Sequence, residues 1–154
     1  MKRKKIIWTI VLVLLVLIAG AGYYAWKEYN RKNKDLKHEK AAFSLAATDL
    51  IGEFAANEKA SNTKFLGKVV EVSGAIKDIV KDEKGYYTIV LGDTSSMSSV
   101  RCSMDSAHNA DAGLVSKGNP VSMKGICTGY MADELLGSDV ILNRAVLKKL
   151  SIKN

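Results

Sequence analysis

An unbroken apolar run over residues 6–26 constrains this chain more than any other feature, because a helix facing water cannot carry 21 such residues. The run holds no charged residue, and as a helix it would reach about 31 Å, close to the hydrocarbon thickness of a bilayer. Trp8, Tyr23, Tyr24 and Trp26 stand near its two ends, where amphipathic rings settle among lipid headgroups. Residues 1–5 form a basic flank with Lys2, Arg3, Lys4 and Lys5, which favours a cytoplasmic N-terminus and an exported C-terminal domain. Lys27, Arg31, Lys32 and Lys34 follow directly and weaken that bias. The rival reading is a cleaved signal peptide, with an apolar core over 6–18 and a small-residue site at Ala19-Gly20-Ala21. The run continues past that site, which favours a single retained transmembrane helix. No Cys lies near the end of the apolar core, so a lipid-modified N-terminus is not expected. Both readings place the rest of the chain outside the cytoplasm, in a periplasm or at a cell exterior.

The net charge of +7 invites a nucleic-acid reading until its distribution is considered. Residues 1–40 hold ten Lys and Arg against Glu28, Asp35 and Glu39, whereas residues 41–154 hold thirteen basic and thirteen acidic side chains. The excess charge therefore belongs to the membrane flanks, and the exported domain has no overall field to attract a polyanion. Residues 27–40 are nearly all polar and lack Gly and Pro, which reads as a charged helical stalk or a flexible spacer, with His38 facing solvent.

From residue 41 the composition changes. Thr48 is expected as an N-cap with Asp49 in the first turn, and Leu50, Ile51, Phe54, Ala55 and Ser61 recur at helical steps. This predicts one helix over 48–62 packed on the domain, with Asn57-Glu58 in a capping or surface role. After Gly67 the period becomes that of a strand. Val70, Val72, Gly74 and Ile76 share one side of a strand over 68–80, where the central glycine suggests a bend or bulge. Further strands are expected over 86–91, 97–104, 121–130 and 139–147, with a short helix over 105–115. Three strands, a helix and two strands is the order of an OB-fold. The fold class expected is therefore mainly β: a five-stranded OB-fold-like barrel over 41–154 with a packed N-terminal helix, preceded by a single transmembrane helix.

Several short motifs support the same reading. Glu53-Phe54, Asn57-Glu58 and the stretch over 64–74 resemble the opening of the tRNA_anti-like OB-fold family. Val100-Arg101-Cys102-Ser103-Met104, Gly118-Asn119-Pro120-Val121, Lys124-Gly125-Ile126-Cys127-Thr128-Gly129-Tyr130 and Asp139-Val140-Ile141-Leu142 extend the likeness, which covers roughly residues 45–148. The resemblance implies an OB barrel behind an export signal or lipoprotein anchor. It also implies a nucleic-acid-binding label, by analogy with anticodon-binding domains, and it carries no ligand residues with it. The chain departs from lipoprotein-type members in having an apolar span and no lipidation cysteine.

Nucleic-acid-binding OB-folds combine a basic groove with base-stacking aromatics, often on the second and third strands. By alternation the outward positions here are Tyr86, Thr88, Val90, Ser99, Arg101 and Ser103, a candidate binding face with one aromatic and one cation. Lys81 and Lys84 are offset by Asp82 and Glu83. A protein, peptide or glycan partner suits such a face better than a nucleic acid, which stays as the alternative. Cys102 and Cys127 would meet an oxidising environment if exported; they are read as buried thiols or as a disulfide across the interior. His108 beside Asp105 and Asp111 supplies the parts of a serine-hydrolase triad without its pattern, so no catalytic residue is assigned. Asp133, Glu134 and Asp139 could hold a weak cation, but no metal site and no cofactor are expected.

Overall fold

The alternation that begins after Gly67 becomes a long strand whose inward residues Val70, Val72 and Ile76 are fully buried. The computed structural model describes residues 2–29, 35–133, 135 and 137–148. The chain divides into two compact units, Met1–Lys34 and Asp35–Asn154.

The first unit is one helix, α1, Lys2–Tyr29. Its described apolar side chains, from Leu12 to Ile18 and at Trp8, Tyr23, Tyr24 and Trp26, are exposed. Among the described residues no helix is long and apolar enough to cross a membrane. The span expected over 6–26 thus differs from what the structure describes. The side chains of residues 2–6 and 9–11 lie outside the described ones, and the continuous described stretch from Leu12 to Tyr29 includes the charged Lys27 and Glu28.

The second unit contains β1 (Phe43–Ala46), α2 (Ala47–Ala56), α3 (Glu58–Phe65), β2 (Val69–Lys81), β3 (Tyr87–Leu91) and β4 (Ser99–Met104). A 3-10 helix (Ser106–Leu114), β5 (Pro120–Asp133) and β6 (Gly137–Lys148) follow. The sheet order is β1-β2-β3-β4-β6-β5, and β5 pairs again with β2, so five strands close into a ring with β1 added at its side. Closure follows from the length of β2. Its first half, Val69–Ala75, pairs antiparallel with β5, and from Ile76 onward it pairs antiparallel with β3. Gly74 stands at this handover, where a Cβ would lie 3.1 Å from the Cβ of Ala47 in α2; the missing side chain lets the helix approach.

The sheet therefore has six strands where five were expected. The added strand, β1, pairs parallel with β2 over Val70–Ser73. Its four residues sit in an alanine-rich stretch, and only a partner 27 residues further on makes them extended.

The expected single helix over 48–62 is two. β1 runs directly into α2, whose N-cap is Ala46 rather than Thr48, and Ala46 makes no side-chain cap bond. Asn57 is extended at φ −159°, and its Oδ1 accepts the Ala60 amide at 3.0 Å, which starts α3. Ser61 donates its hydroxyl to the Glu53 carbonyl at 2.8 Å, joining the two helices. The apolar stripe nonetheless does what its spacing implies. Leu50 and Phe54 are fully buried, α2 packs on β1, β2, β4 and β6, and Phe54 lies between Phe65 and Tyr130. Residues 35–40, expected to belong to a helical stalk, form a turn within the second unit, with Leu36 buried.

Candidate functional site

The outward positions of β2, β3, β4 and β6 form one continuous face, set by register. Val80 pairs with Thr88 and Thr88 with Ser103; Asp78 pairs with Val90, Val90 with Arg101 and Arg101 with Ile141. Ser99 pairs with Asp139 at the end of the face.

The six candidate residues have different surroundings. Tyr86 is exposed just before β3, where its amide donates to Asp82 Oδ1 at 2.8 Å and closes the β2–β3 turn. Thr88 and Ser103 are half-buried, with their hydroxyls 3.4 Å apart. Val90 is only 6% exposed, and Ser99 is buried with its hydroxyl donated to the Asp139 carboxylate. Arg101 is half-buried and places a guanidinium nitrogen 3.6 Å from the other Asp139 oxygen. Asp139 therefore joins Ser99 and Arg101. At the β2 side of the face the Lys117 ammonium, from the loop before β5, lies 2.6 Å from Asp78. With help from the Ile79 amide and the Arg101 charge, it holds the Asp78 carboxyl below its ordinary range. Arg101 and Lys117 are thus matched in place, and the half-buried Thr88 and Ser103 hydroxyls and the exposed Tyr86 ring complete the face.

The edge of the face is braced from below. Asn109 of the 3-10 helix accepts the Tyr87 amide at 2.8 Å and donates to the Gly85 carbonyl at 2.9 Å. Lys81 lies 5.2 Å above the Tyr87 ring. Neither Asn109 nor Lys117 carries a sequence signal for these roles, since both act through tertiary contacts 22 or more residues away from their partners in the chain.

The other sequence candidates are separated. His108 Nε2 is 3.0 Å from Asp35, and Nδ1 is 3.6 Å from Asp111, while Asp105 pairs with Arg144 at 3.2 Å. Among the described residues this histidine meets the acidic side chains of Asp35 and Asp111 and no hydroxyl, so the parts of the triad are not assembled. Asp133 accepts the Leu135 amide and Asp139 serves Ser99 and Arg101, while Glu134 lies outside the described residues. Among the described residues no group of three or more His, Cys, Asp and Glu could hold a metal ion.

Cys102 and Cys127 are buried and free. Both are in register with Leu142 of β6, one from β4 and the other from β5. Two interstrand spacings, about 9.6 Å along the sheet, separate their backbones, beyond the reach of a disulfide at about 7 Å. Burial pushes the Cys102 thiol up to about 12 and raises that of Cys127, partly offset by the Gly129 amide.

A family model described as tRNA_anti-like matches residues 1–141. Among functionally curated proteins, none matches the chain. Among solved structures, the chain is similar to a candidate nucleic acid-binding lipoprotein from Klebsiella pneumoniae subsp. pneumoniae MGH 78578. That likeness has a TM-score of 0.54 at 20% identity over 68% of this chain and 91% of the other, and it is one of fold. Asparaginyl-tRNA synthetase from Pyrococcus horikoshii aligns with a TM-score of 0.38 at 18% identity, over 57% of this chain and 21% of the enzyme. The Entamoeba histolytica asparaginyl-tRNA synthetase aligns with 0.38 at 16% identity, over 56% and 22%.

Proposed function

Because the chain belongs to the tRNA_anti-like family of OB-fold proteins, we propose that it is a non-enzymatic binding module tethered to a membrane through α1. Its ligand on the β3–β4 face is a protein, peptide or glycan. The observation that carries the ligand class is the local matching of charge, with Arg101 held by Asp139 and Lys117 by Asp78. A polyphosphate backbone would have to break such pairs. A neutral ligand with its own donors and acceptors can use Thr88, Ser103 and the exposed Tyr86 as they stand.

The tether is supported by the uncharged run over 6–26 and by the exposure of the α1 side chains described from Leu12 to Trp26. The basic residues before the run support a cytoplasmic N-terminus, with the domain periplasmic or extracellular. Carbonate extraction of native membranes, followed by protease treatment of intact cells or spheroplasts, tests this. The chain should stay with the membrane and lose its C-terminal domain to external protease; release by carbonate would overturn the tether.

The second reading is a membrane-tethered single-stranded nucleic-acid binder. It is favoured by the family and by the name of the Klebsiella relative, and Lys81, Lys84 and Tyr86 lie together around the β2–β3 turn. A salt titration of oligonucleotide binding to the detergent-solubilised full chain separates the two. The first reading expects weak binding with a shallow dependence on salt. Tight binding that falls steeply with log salt, as release of several counterions requires, would establish the second.

A further inference from the structure

The face of β2, β5 and β6, on other strand positions than the candidate ligand face, carries Lys124 and Lys148, and the 35–40 turn adds Lys37 around one small open pocket. Glu71 pairs with Lys124 and Lys124 with Val146; one step along, Ser122 pairs with Lys148. The pocket is lined by Lys37, Lys124, Val146, Leu147 and Lys148. Lys124 is 8% exposed, unusually buried for a lysine. Its ammonium donates to the Glu39 carbonyl at 2.6 Å and the Lys37 carbonyl at 3.3 Å, so the 35–40 turn holds it in place without neutralising it. Lys148 donates to Glu71 at 2.8 Å, a carboxylate that also accepts the Ser122 hydroxyl. Among the described residues the Lys37 ammonium has no acidic partner. The Glu71 carboxylate thus answers Lys148 directly and Lys124 through its field, and each lysine keeps at least one N–H group for a further acceptor.

We infer that this pocket binds the phosphodiester headgroup of an anionic lipid in the bilayer that holds α1. The inference rests on the tethered reading above. Lys37 lies eight positions beyond Tyr29, the end of α1, a length of at most about 29 Å when fully extended. The bilayer surface is therefore present at high effective concentration, and the sequence between adds the basic residues Arg31, Lys32 and Lys34. A free polyanion has no such advantage, since residues 41–154 are electrically balanced and draw nothing from a distance. The pocket's apolar wall, Val146 and Leu147, suits the glycerol end of a headgroup.

The test uses the full chain reconstituted in phosphatidylcholine vesicles with and without phosphatidylglycerol, and reads acylation of individual lysines by mass spectrometry. Phosphatidylglycerol should slow labelling of Lys37 and Lys148 by about fivefold, the change that about 1 kcal/mol per lysine at an anionic surface represents. Exposed Lys84, on the β2–β3 turn, serves as the reference and should not change. In the Lys37→Gln variant, the protection of Lys148 should shrink. Equal labelling in both vesicles would overturn the inference. So would the same protection in pure phosphatidylcholine by inorganic phosphate, or stronger protection by an oligothymidylate, which would reassign the pocket to free phosphate or to nucleic acid. Chain washed from phosphatidylcholine vesicles by carbonate would remove the tethered reading and the inference with it, whereas retention with equal labelling would remove the inference alone.

Discussion

Single residues show most directly where chemistry and packing compete. Cys102 lies in the core with its thiol pushed up to about 12 by burial, so its thiolate is negligible at neutral pH. The native protein should show no disulfide by mass under non-reducing conditions. A thiol reagent should leave Cys102 unlabelled until denaturant is added; rapid labelling of native protein at pH 7 would contradict its burial. Gly137 illustrates a different constraint. It has φ of +85°, and a Cβ there would lie 2.7 Å from the Met97 carbonyl carbon, inside backbone contact distance. Gly137→Ala combines a left-handed residue with a clash against backbone, and should cost at least roughly 1–2 kcal/mol, read as a lower midpoint in urea. Both effects are invisible to composition. Inward alternation did place Cys102 in the core, but nothing local marks Gly137 as the point where β6 presses on the β3–β4 loop.

At the scale of elements, the break between α2 and α3 depends on one side chain. Asn57 leaves helical geometry and accepts the Ala60 amide, so its replacement by alanine removes a cap worth about 0.5–2 kcal/mol. Asn57→Ala should lower the thermal midpoint, while Asn57→Asp, which keeps an acceptor, should restore most of it. An unchanged midpoint in Asn57→Ala would show that the bond contributes nothing. The stripe of Leu50 and Phe54 was legible because helical burial repeats within one turn or two. The capping or surface role expected for Asn57-Glu58 was legible, but the break itself was not, because Asn, Glu and Ala are each found within helices and the cap shows only in the extended backbone of Asn57.

For the whole molecule, the ring is closed by β2 meeting β5, and an ion pair spans that seam on its outer side. Burial alone would raise the Glu71 carboxyl, but the Lys148 ammonium and the Ser122 hydroxyl outweigh it and hold Glu71 below its ordinary 4.5. A carboxyl depressed in the folded state stabilises the fold above its unfolded value, and that contribution is lost as pH falls through the folded value. Stability should therefore decline below about pH 4.5 from this group. Lys148→Met should move the acid transition, followed by circular dichroism, to higher pH. A transition at the same pH in both proteins would mean the pair does not couple to folding.

The sequence by itself determined the quantities that depend on near neighbours. These are the apolar N-terminal run, the concentration of positive charge beside it, the change from helical to strand period, and the inward residues of most strands. The resemblance of its motifs to the tRNA_anti-like family was legible for the same reason, since those motifs are short and locally spaced. Only the tertiary structure decided the sixth strand, the parallel pairing of β1 with β2, the sharing of Asp139 by Ser99 and Arg101, and the gathering of Lys37, Lys124 and Lys148. Ring closure brings together residues that are tens of positions apart. A sum of charges over the domain records none of that, because a zero total is the same whether charges are paired on one face or left unmatched on another.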